Sequence, residues 1–375
     1  MDRVRVAVVV LGELGRSPRM LNHARELDAA GFETVLIGYG GNNLDLPSGI
    51  DIRSLHPMRR IDERQSKLTF VAGSALRMAL LFFELISVLI RERAKIVLVQ
   101  NAPAFPTLAA AWIAARCSGA RLVIDWHNYS YSLLALRLGL TNALVRAAEW
   151  YEGFFGRRAD AHVCVSQAMR DDLLSRWRIH ASTLYDRPLQ IESSQLAENL
   201  TVVCPAGWTK DEDMDLLLES IALLETRAIQ FHLTGDGPLR AGLEPRIAEL
   251  RKSGFDILTG FLPETQYRAL IRSASLGLSL HRSTSGLDLA MKVVDFFAAA
   301  VPVCALDYGG ALPEQIVEGE TGFLFRSAEQ LAAILTSVAA EPPKLNQLRE
   351  NLRSSATVTW HDEWTRVVLP ILQPH

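Results

Sequence analysis

The sequence predicts an α/β protein built from two doubly wound domains. Its 375 residues suit two domains at roughly 100–200 residues each. Short apolar runs alternate with amphipathic helical patterns in both halves of the chain. The alternation lapses once, around residues 181–200, and then restarts. Strand–helix alternation of this kind produces a parallel sheet covered by helices on both faces, so we expect two such sheets.

Composition excludes several classes of protein. The hydrophobic fraction is 49% and the charged fraction 22%, which is typical of a globular chain rather than a disordered one. The net charge of −3 and the lack of a basic stripe argue against nucleic-acid binding. The four cysteines show no CxxC spacing, so we predict no zinc site. No signal-peptide pattern is visible at the N-terminus.

The first half contains the first set of alternating elements. Pro18 to Ala30 reads as a helix, with Ser17 as N-cap and Gly31 just past its end. The remaining helices are predicted at 107–116 and 167–177. The strands are predicted at 4–11, 34–38, 96–100, 121–125 and 161–165.

The second half repeats this organisation. Strands are predicted at 201–204, 230–233, 256–258, 276–280 and 302–306. Helices are predicted at 213–225, 239–252, 264–273, 291–299 and 328–339. We therefore predict a first domain at 1–185, a linker at 186–200, a second domain at 201–343, and a C-terminal helix at 344–375 packing back towards the first domain.

One apolar segment, Phe70 to Ile90, is about as long as a membrane span. Arg77 and Glu84 interrupt it, and a charge near the centre of a bilayer is costly. A helix buried in the first domain is therefore favoured, and a helix lying partly in a membrane surface is the alternative.

The first candidate site follows the first strand, at residues 12–19. Gly12 and Gly15 let the backbone turn tightly, and the helix that begins after Ser17 directs free N–H groups at the loop. Arg16 and Arg19 add positive charge that suits a diphosphate. The spacing is not GxGxxG, and a plain strand-to-helix turn explains the stretch equally well.

The second candidate site follows the strand at 121–125. Asp125 and His127 are two residues apart and share one face. A histidine beside a carboxylate can act as a base or hold a sugar hydroxyl. Asn128 and Tyr129 continue the same polar stretch. A structural His–Asp pair is the alternative, with the carboxyl end of a parallel strand favouring function.

Two further candidates lie in the second half. Gly235 and Asp236 follow a strand and suit either a phosphate contact or a simple turn. The polar stretch at 285–295 leads into a helix whose N-terminus could approach phosphates, and it includes Ser285, Gly286, Leu287 and Asp288. Lys292 can neutralise a diphosphate, and Asp295 can accept from ribose hydroxyls. A capped helix with a surface ion pair is the alternative.

With these residues identified, the chain resembles the chitobiosyldiphosphodolichol β-1,4-mannosyltransferase family. Matching segments run along the whole length of the sequence. The most specific are GRSPRM at 15–20, DWHNYSYS at 125–132 and SGLDLAMKVVD at 285–295. Others include LVQNAP at 98–103, VSQAMRDDL at 165–173, WTKDEDMDLLL at 208–218 and TGDGPLR at 234–240.

The resemblance implies a GT-B fold, in which two Rossmann-like domains face a cleft, and an inverting β-mannosyltransferase. It implies GDP-mannose as donor in the second domain and a polyprenyl-diphosphate-linked glycan as acceptor in the first, with a β-1,4 linkage. It also implies a cytoplasmic protein, peripheral on the cytoplasmic face of a membrane. The composition suits a bacterial-type member without the N-terminal membrane anchor of eukaryotic relatives.

By this resemblance the reaction is a single displacement at the sugar C1, which needs one general base. Glu13 is the first choice, and His127 and Asp125 follow. Lys292 and one of the two loop arginines would hold the diphosphate. We assign no stretch of the sequence as a DxD-type metal cluster, so we predict no obligatory cofactor or metal and at most stimulation by a divalent ion.

Within the second domain, Asp295 falls on the second glutamate of the Glu-x7-Glu motif of retaining GT-B enzymes, and Leu287 falls on the first, with Asp288 beside it. The resemblance thus implies a donor sugar that is held differently from theirs. A retaining hexosyltransferase acting on a glycolipid or polysaccharide precursor stays open as an alternative. A non-catalytic subunit that binds lipid-linked sugar is another.

Overall fold

A computed structural model describes residues 3–40, 44–56, 67–192, 200–355 and 358–373, without the side chains of residues 67–72 and 74. Two compact units divide the chain. The first comprises residues 1–185 and 364–375, and the second comprises residues 186–363.

The first unit is built on a parallel sheet. Its described strands are β1 (Arg5–Glu13), β2 (Glu33–Tyr39), β3 (Ile50–Ser54), β4 (Ile96–Asn101), β5 (Arg121–Trp126), β6 (Ala161–Cys164) and β7 (Ser182–Thr183). They lie in the order β3-β2-β1-β4-β5-β6-β7. The order reverses between β1 and β4, which is where doubly wound sheets bind ligands at the carboxyl ends of their strands. The central strands are nearly continuous runs of buried valine, leucine and isoleucine, as this fold requires.

Helices cover this sheet. They are α1 (Pro18–Ala29), α2 (Lys67–Glu92), α3 (Thr107–Ser118), α4 (Ser130–Leu138), α5 (Ala143–Gly156) and α6 (Gln167–Trp177). The segment predicted at Phe70–Ile90 is part of α2, which packs on α3. Leu81, Leu85 and Leu89 form its buried stripe. Among the described residues, no helix is both long and apolar enough to cross a membrane.

The second unit has the same plan. Its described strands are β8 (Leu200–Pro205), β9 (Ile229–Thr234), β10 (Asp256–Gly260), β11 (Leu276–Ser279), β12 (Val303–Leu306) and β13 (Gly322–Phe325). Their order, β10-β9-β8-β11-β12-β13, reverses between β8 and β11. The helices are α7 (Met214–Ala222), α8 (Arg240–Lys252), α9 (Glu264–Ser273), α10 (Met291–Ala298), α11 (Ala328–Ala340) and α12 (Lys344–Ser355).

The segment after residue 343 differs from the prediction. In place of one helix over 344–375, three helices follow one another: α12, α13 (Trp360–Val367) and α14 (Leu369–Leu372). Leu345 of α12 is buried in the core of the second unit. Trp364 and the residues after it belong to the first unit. Residues 358 and 359 are not helical, and α13 begins directly after them at Trp360.

Candidate functional site

In the first unit, the residues predicted from the stretch at 125–129 collect around one buried carboxylate. Asp125 is the penultimate residue of β5 and is completely buried. Arg19 holds it with two hydrogen bonds, from Nε to Oδ2 at 2.8 Å and from Nη2 to Oδ1 at 3.0 Å. His23 and His127 each place Nε2 at 3.0 Å from Oδ2. A bidentate guanidinium and two imidazoles therefore share one carboxylate.

This arrangement fixes the charge on Asp125. Burial alone opposes ionisation and would raise the pKa of the carboxyl group. The charge of Arg19, with the hydrogen bonds from His127 and His23, outweighs burial and holds the pKa well below its usual range. Asp125 is therefore an anion at neutral pH with no exposed surface. That Asp125 acts as a base stays a prediction, and its burial and the low pKa of its carboxyl group favour a supporting role.

The same contacts fix the proton positions on both histidines. Trp364 donates from Nε1 to His23 Nδ1 at 2.9 Å, and an indole N–H can only donate. His23 therefore carries its proton on Nε2 and donates it to Asp125. Burial lowers the pKa of His23, which stays neutral. A carboxylate can only accept, so His127 also donates its Nε2 proton to Asp125, and in its neutral form Nδ1 is the basic nitrogen.

That Arg19 binds a diphosphate stays a prediction, and in the structure its guanidinium has other partners. Its side chain is 2% exposed and is engaged by Asp125 and by the carbonyl oxygen of Leu184, at 3.0 Å from Nη1. The sequence shows an arginine beside a glycine-containing turn, but α1 points this side chain inwards under β5. Arg16, by contrast, is 84% exposed and remains a candidate for anion binding.

The loop after β1 differs from the expected tight glycine turn. The strand continues extended through Gly12 to Glu13, and a short 3-10 turn over 14–16 follows. Leu14 is completely buried and anchors this turn. Neither Gly12 nor Gly15 is among the glycines with positive φ. Ser17 occupies the N-cap position of α1, but its hydroxyl donates to the carbonyl oxygen of Glu13 instead of capping the helix. Glu13 itself is 67% exposed, with Arg16 as its ion-pair partner at 3.9 Å.

Tyr129, predicted to contact the acceptor, is a core residue. It is completely buried, and its hydroxyl donates to Asp172 at 2.8 Å. It stacks on Tyr131, with ring centroids 5.3 Å apart, and meets Trp126 and Trp177 edge to face. Such packing and a satisfied hydroxyl are typical of a buried structural tyrosine, and a contact of Tyr129 with the acceptor stays a prediction. Asn128 is only partly buried, and its Oδ1 accepts from the backbone N–H of Tyr129 at 2.7 Å.

A second buried carboxylate, Glu152 on α5, was not found by sequence reasoning. Its Oε1 accepts from Asn101 Nδ2 and from the backbone N–H of Ser130, both at 2.8 Å. Its Oε2 accepts from the backbone N–H of Tyr131 at 2.9 Å. Glu152 thereby fixes the start of α4, directly after His127 and Asn128. The only signal in the sequence is an acid among the aromatic residues of WYEGFF.

Glu152 predicts a pH dependence of stability. Its folded-state pKa is raised to about 7 by burial, against 4.5 for an ordinary glutamate. The folded state thus binds this proton more tightly than the unfolded state, so the contribution of Glu152 to the free energy of unfolding should fall as pH rises from about 4.5 to about 7, by about 3 kcal/mol. Denaturant titrations of wild type and Glu152→Gln at pH 5 and 7.5 measure this contribution as the difference between their pH dependences. An unchanged pH dependence in Glu152→Gln would contradict the assignment.

In the second unit, the predicted donor residues lie on the loops after β9 and β11 and on α10, and the loops after the neighbouring strands β8 and β12 pack on those two loops. The loop after β9 packs directly on the loop after β8: a Cβ on Gly235 would lie 2.0 Å from the carbonyl oxygen of Ala206. The loop after β12 packs in the same way on the loop after β11, where a Cβ on Gly310 would lie 1.8 Å from the carbonyl oxygen of Gly286. Glycine is required at Gly235 and Gly310 for this backbone contact. Asp236 beside the first contact is 70% exposed.

Asp288 organises the loop after β11. Ser283 donates to its carboxylate, as does Ser285 at 3.3 Å, and His281 Nε2 lies 2.9 Å away. Burial opposes the charge on Asp288, but the hydrogen bonds from His281 and Ser283 lower its pKa overall. Gly286 has φ of +74° and donates its N–H to Ser283 Oγ at 2.8 Å. The loop is therefore rigid, with Leu287 half-buried at its tip.

Lys292 and Asp295 on α10 have different partners. Lys292 Nζ donates to Glu212, a buried residue that the sequence analysis did not single out. Glu212 also accepts from the backbone N–H groups of Gly207 at 2.6 Å and Trp208 at 3.0 Å. Asp295 is exposed and accepts from the hydroxyl of Tyr267 at 2.9 Å. The ion pair between Lys292 and Asp295, considered above as an alternative, is replaced by the pair with Glu212.

Within the described part of the chain, no group of three or more histidine, cysteine, aspartate or glutamate residues is placed to hold a metal ion. The polar chemistry that the structure does offer is an oriented imidazole in the first unit and a lysine beside a helix N-terminus in the second. An imidazole with one open nitrogen can accept a proton, and a lysine at such a position can stabilise a leaving phosphate.

Comparisons with known proteins decide the family. Residues 17–185 match the model described as Glycosyltransferase Family 4, and residues 199–341 match that of Glycosyl transferases group 1. The chitobiosyldiphosphodolichol beta-mannosyltransferase of Pongo abelii is 33% identical, over 98% of this chain and 92% of that protein. The chain belongs to this family of glycosyltransferases. The family resemblance stated from the sequence motifs is thereby confirmed.

Two other similar proteins bear on the family's breadth and on its fold. UDP-glycosyltransferase TURAN of Arabidopsis thaliana is 31% identical, over 99% of this chain and 97% of that protein. The sucrose-phosphate synthase structure from Thermosynechococcus elongatus has a TM-score of 0.73 at 15% identity, covering 98% of this chain and 97% of that chain. This likeness and the two parallel-sheet α/β units of the chain confirm the predicted GT-B fold.

Proposed function

We propose that the chain transfers mannose from GDP-mannose to a polyprenyl-diphosphate-linked oligosaccharide, inverts the anomeric centre and forms a β-1,4 linkage. The observation that carries the proposal is the 33% identity to a named beta-mannosyltransferase over 98% of this chain, which includes both units. A relative that shared only the donor-binding domain would be similar to this chain in the second unit alone. By the same reasoning the enzyme works at the cytoplasmic face of a membrane, where it meets its lipid-linked acceptor.

The first unit supplies the base in this proposal. His127 donates from Nε2 to Asp125 at 3.0 Å, and its Nδ1 can take the proton of the acceptor hydroxyl as that oxygen bonds to the sugar C1. Arg19 and His23 keep Asp125 charged and in place, so that it orients the imidazole without itself taking the proton. This revises the sequence-based ranking, in which Glu13 came first. Glu13 remains the alternative base.

The second unit supplies the donor site. The bond from C1 to the β-phosphate oxygen breaks, and the GDP that leaves carries the negative charge. Lys292 and the start of α10 offset this charge, with Glu212 holding Lys292 in position. Gly235, Asp236, the loop at 285–288 and Asp295 would contact the remaining parts of the donor. Gly12, Gly15, Arg16, Ser17 and Asn128 would contact the acceptor. No metal is required in this proposal, and turnover that persists in EDTA would support it.

Purified enzyme incubated with GDP-mannose and synthetic diphospholipid-linked chitobiose tests the function. The expected result is release of GDP together with a product that NMR shows to be β-linked. UDP-sugars serve as the second donor panel, since the relative from Arabidopsis thaliana is named a UDP-glycosyltransferase. Turnover with UDP-sugars alone would replace the proposed donor. An α-linked product would indicate a retaining enzyme. The absence of turnover with every donor would indicate a binding subunit.

Lys292→Met should lower kcat/KM for the donor by about 10²–10³-fold, because the charge opposite the leaving diphosphate is lost. Lys344→Met is the matched control, since Lys344 is an exposed lysine on α12, and it should leave kcat/KM unchanged. Lys292→Met also leaves Glu212 buried without its cation. Glu212→Gln combined with Lys292→Met removes that stability effect, and wild-type turnover in this double variant would contradict the role of Lys292.

A further inference from the structure

The connection between α4 and α5 exposes a cluster of leucines. Residues 130–150, here named the leucine hairpin, comprise α4, the turn at 139–142 and the first half of α5. Five leucines in it are between 40% and 72% exposed: Leu133, Leu136, Leu138, Leu140 and Leu144. Single exposed leucines are ordinary, but a continuous cluster of this size marks an interaction surface.

The hairpin is anchored at its base and apolar at its tip. α4 and α5 pack on each other, with Tyr131 and Val145 buried between the hairpin and the unit. Glu152 accepts from the backbone N–H groups of Ser130 and Tyr131, which ties the start of α4 to α5. Buried hydrogen bonds hold the start of α4 in place. The leucines are therefore exposed on a well-packed element and not on a loosely attached segment.

The charges around these leucines indicate what the surface binds. Residues 126–148 contain no aspartate or glutamate, and two exposed arginines, Arg137 and Arg146, stand among the leucines. Trp150 is 62% exposed and stacks on Phe154, with ring centroids 4.9 Å apart. The guanidinium of Arg158 lies 3.4 Å from the centroid of the Phe154 ring.

Exposed leucines with arginines among them, no acid between residues 126 and 148 and a tryptophan nearby match the chemistry of a membrane interface. Apolar side chains enter the acyl boundary, aromatic rings lie at the level of the headgroups, and cations meet anionic lipids. A surface that binds a soluble protein more often has charges of both signs at its rim. We propose that the leucine hairpin docks the first unit onto an anionic lipid bilayer.

The proposal rests on the proposed function in one respect, since a lipid-linked acceptor would bring the enzyme to a bilayer. It differs from the membrane segment considered in the sequence, Phe70–Ile90 with Arg59, Arg60, Arg64 and Lys67. Those three arginines and the side chain of Lys67 lie outside the described residues. On α2, Leu76, Leu80 and Phe83 are exposed, and Glu84 is their acidic neighbour. An anionic surface therefore favours the leucines of the hairpin, which lie between residues 133 and 144 with two arginines and no acid among them, over α2.

Co-sedimentation of the full chain with vesicles tests the proposal. One set of vesicles is phosphatidylcholine alone, and the other contains 3 parts phosphatidylglycerol to 7 parts phosphatidylcholine, as ~30% anionic lipid is enough to attract basic residues. The triple variant Leu136→Gln, Leu140→Gln, Leu144→Gln should bind the anionic vesicles at least about tenfold more weakly than wild type. Leu223→Gln with Leu258→Gln is the control, since both are similarly exposed leucines of the second unit.

Two further variants make the result specific. Arg137→Ala with Arg146→Ala should weaken binding to anionic vesicles only and reduce its dependence on salt. Leu80→Gln with Phe83→Ser on α2 should leave binding within about twofold of wild type. Equal binding of the triple variant and wild type would overturn the proposal, as would loss of binding in the α2 variant alone.

A protein partner would produce a different result. If the hairpin joined two copies of the chain, sedimentation velocity would show a wild-type dimer that the triple variant converts to monomer, and this would overturn the membrane assignment. The vesicles contain neither lipid-linked sugar nor nucleotide. Vesicle binding by a chain that fails to transfer mannose would thus contradict the proposed function and leave the hairpin proposal standing.

Discussion

Replacing His127 by asparagine is expected to lower kcat by about 10²–10⁴-fold, which is the usual contribution of a general base. The expectation follows from the contacts of Asp125, which accepts from Arg19, His23 and His127 and orients the imidazole through Nε2. Asparagine keeps a side-chain N–H that can donate to Asp125 but has no basic nitrogen. Steady-state kinetics with GDP-mannose and a diphospholipid-linked acceptor provide the measurement.

Glu13→Gln is the matched experiment, because Glu13 is the alternative base. If His127 is the base, Glu13→Gln should keep kcat within about threefold of wild type, as expected of an exposed acid away from the reacting atoms. The opposite pattern, with turnover lost in Glu13→Gln and kept in His127→Asn, would restore the ranking made from the sequence. Similar losses in both variants would mean that neither acts alone as the base.

The sequence predicted the regular part of the fold well, for a physical reason. Strands such as β1, β4 and β8 are buried on both faces, so their composition is apolar throughout and the pattern is unmistakable. Helices such as α6, predicted at its observed bounds, have caps and breaks that are local in sequence. Ser166 accepts from the backbone N–H of Met169 at the start of α6.

The elements that were missed carry no such local signal. In the run LLALRLGL, in and after α4, most of the leucines are exposed. The spacing of apolar residues therefore does not mark a buried helix face. β3 is an edge strand with alternating exposed residues, and β13 is only four residues long. Their pairing with β2 and β12 depends on partners distant in sequence.

The site was predicted in outline, without the contacts of individual side chains. Asp125, His127 and Arg19 were all singled out, but the sequence does not show that Arg19 turns inwards to meet Asp125. That contact spans 106 residues, and the contact of Trp364 with His23 spans 341. Glu152 and Glu212 were missed because most of their partners are backbone N–H groups, which the sequence presents identically at every position other than proline, and their side-chain partners Asn101 and Lys292 are 51 and 80 residues away.

Arg19→Met is expected to lower the free energy of unfolding by about 3–5 kcal/mol, the cost of leaving a buried charge without its partner. Asp125 would remain completely buried, with the imidazoles of His23 and His127 as its side-chain donors. Denaturant titration at pH 7 gives the difference. Arg16→Met, at an arginine that is 84% exposed, is the control and should change stability by less than about 0.5 kcal/mol. If Arg19→Met lowered the free energy of unfolding by as little as the control, the ion pair of Arg19 with Asp125 would not be a main stabilising contact.

The pH dependence separates this pair from simple packing. The folded-state pKa of Asp125 lies well below its ordinary value, so the stability it contributes is complete above the unfolded-state pKa of about 3.9. That stability is lost as pH falls through the folded-state pKa. In Arg19→Met burial raises the pKa of Asp125, so the variant is relieved by protonation as pH falls, and its difference from wild type should be largest near pH 7 and shrink towards low pH. A difference that persists unchanged at pH 2–3 would indicate lost packing around the long arginine side chain instead.

The same variant connects stability to catalysis. Without Arg19, Asp125 loses the two hydrogen bonds that fix its carboxylate plane, and His127 loses the fixed acceptor for its Nε2 proton. Turnover of Arg19→Met, measured at a temperature where the variant is still folded, should therefore fall by about tenfold or more, because a misplaced base transfers protons less efficiently. Wild-type turnover in a folded Arg19→Met enzyme would show that the buried cluster stabilises the first unit but does not position His127.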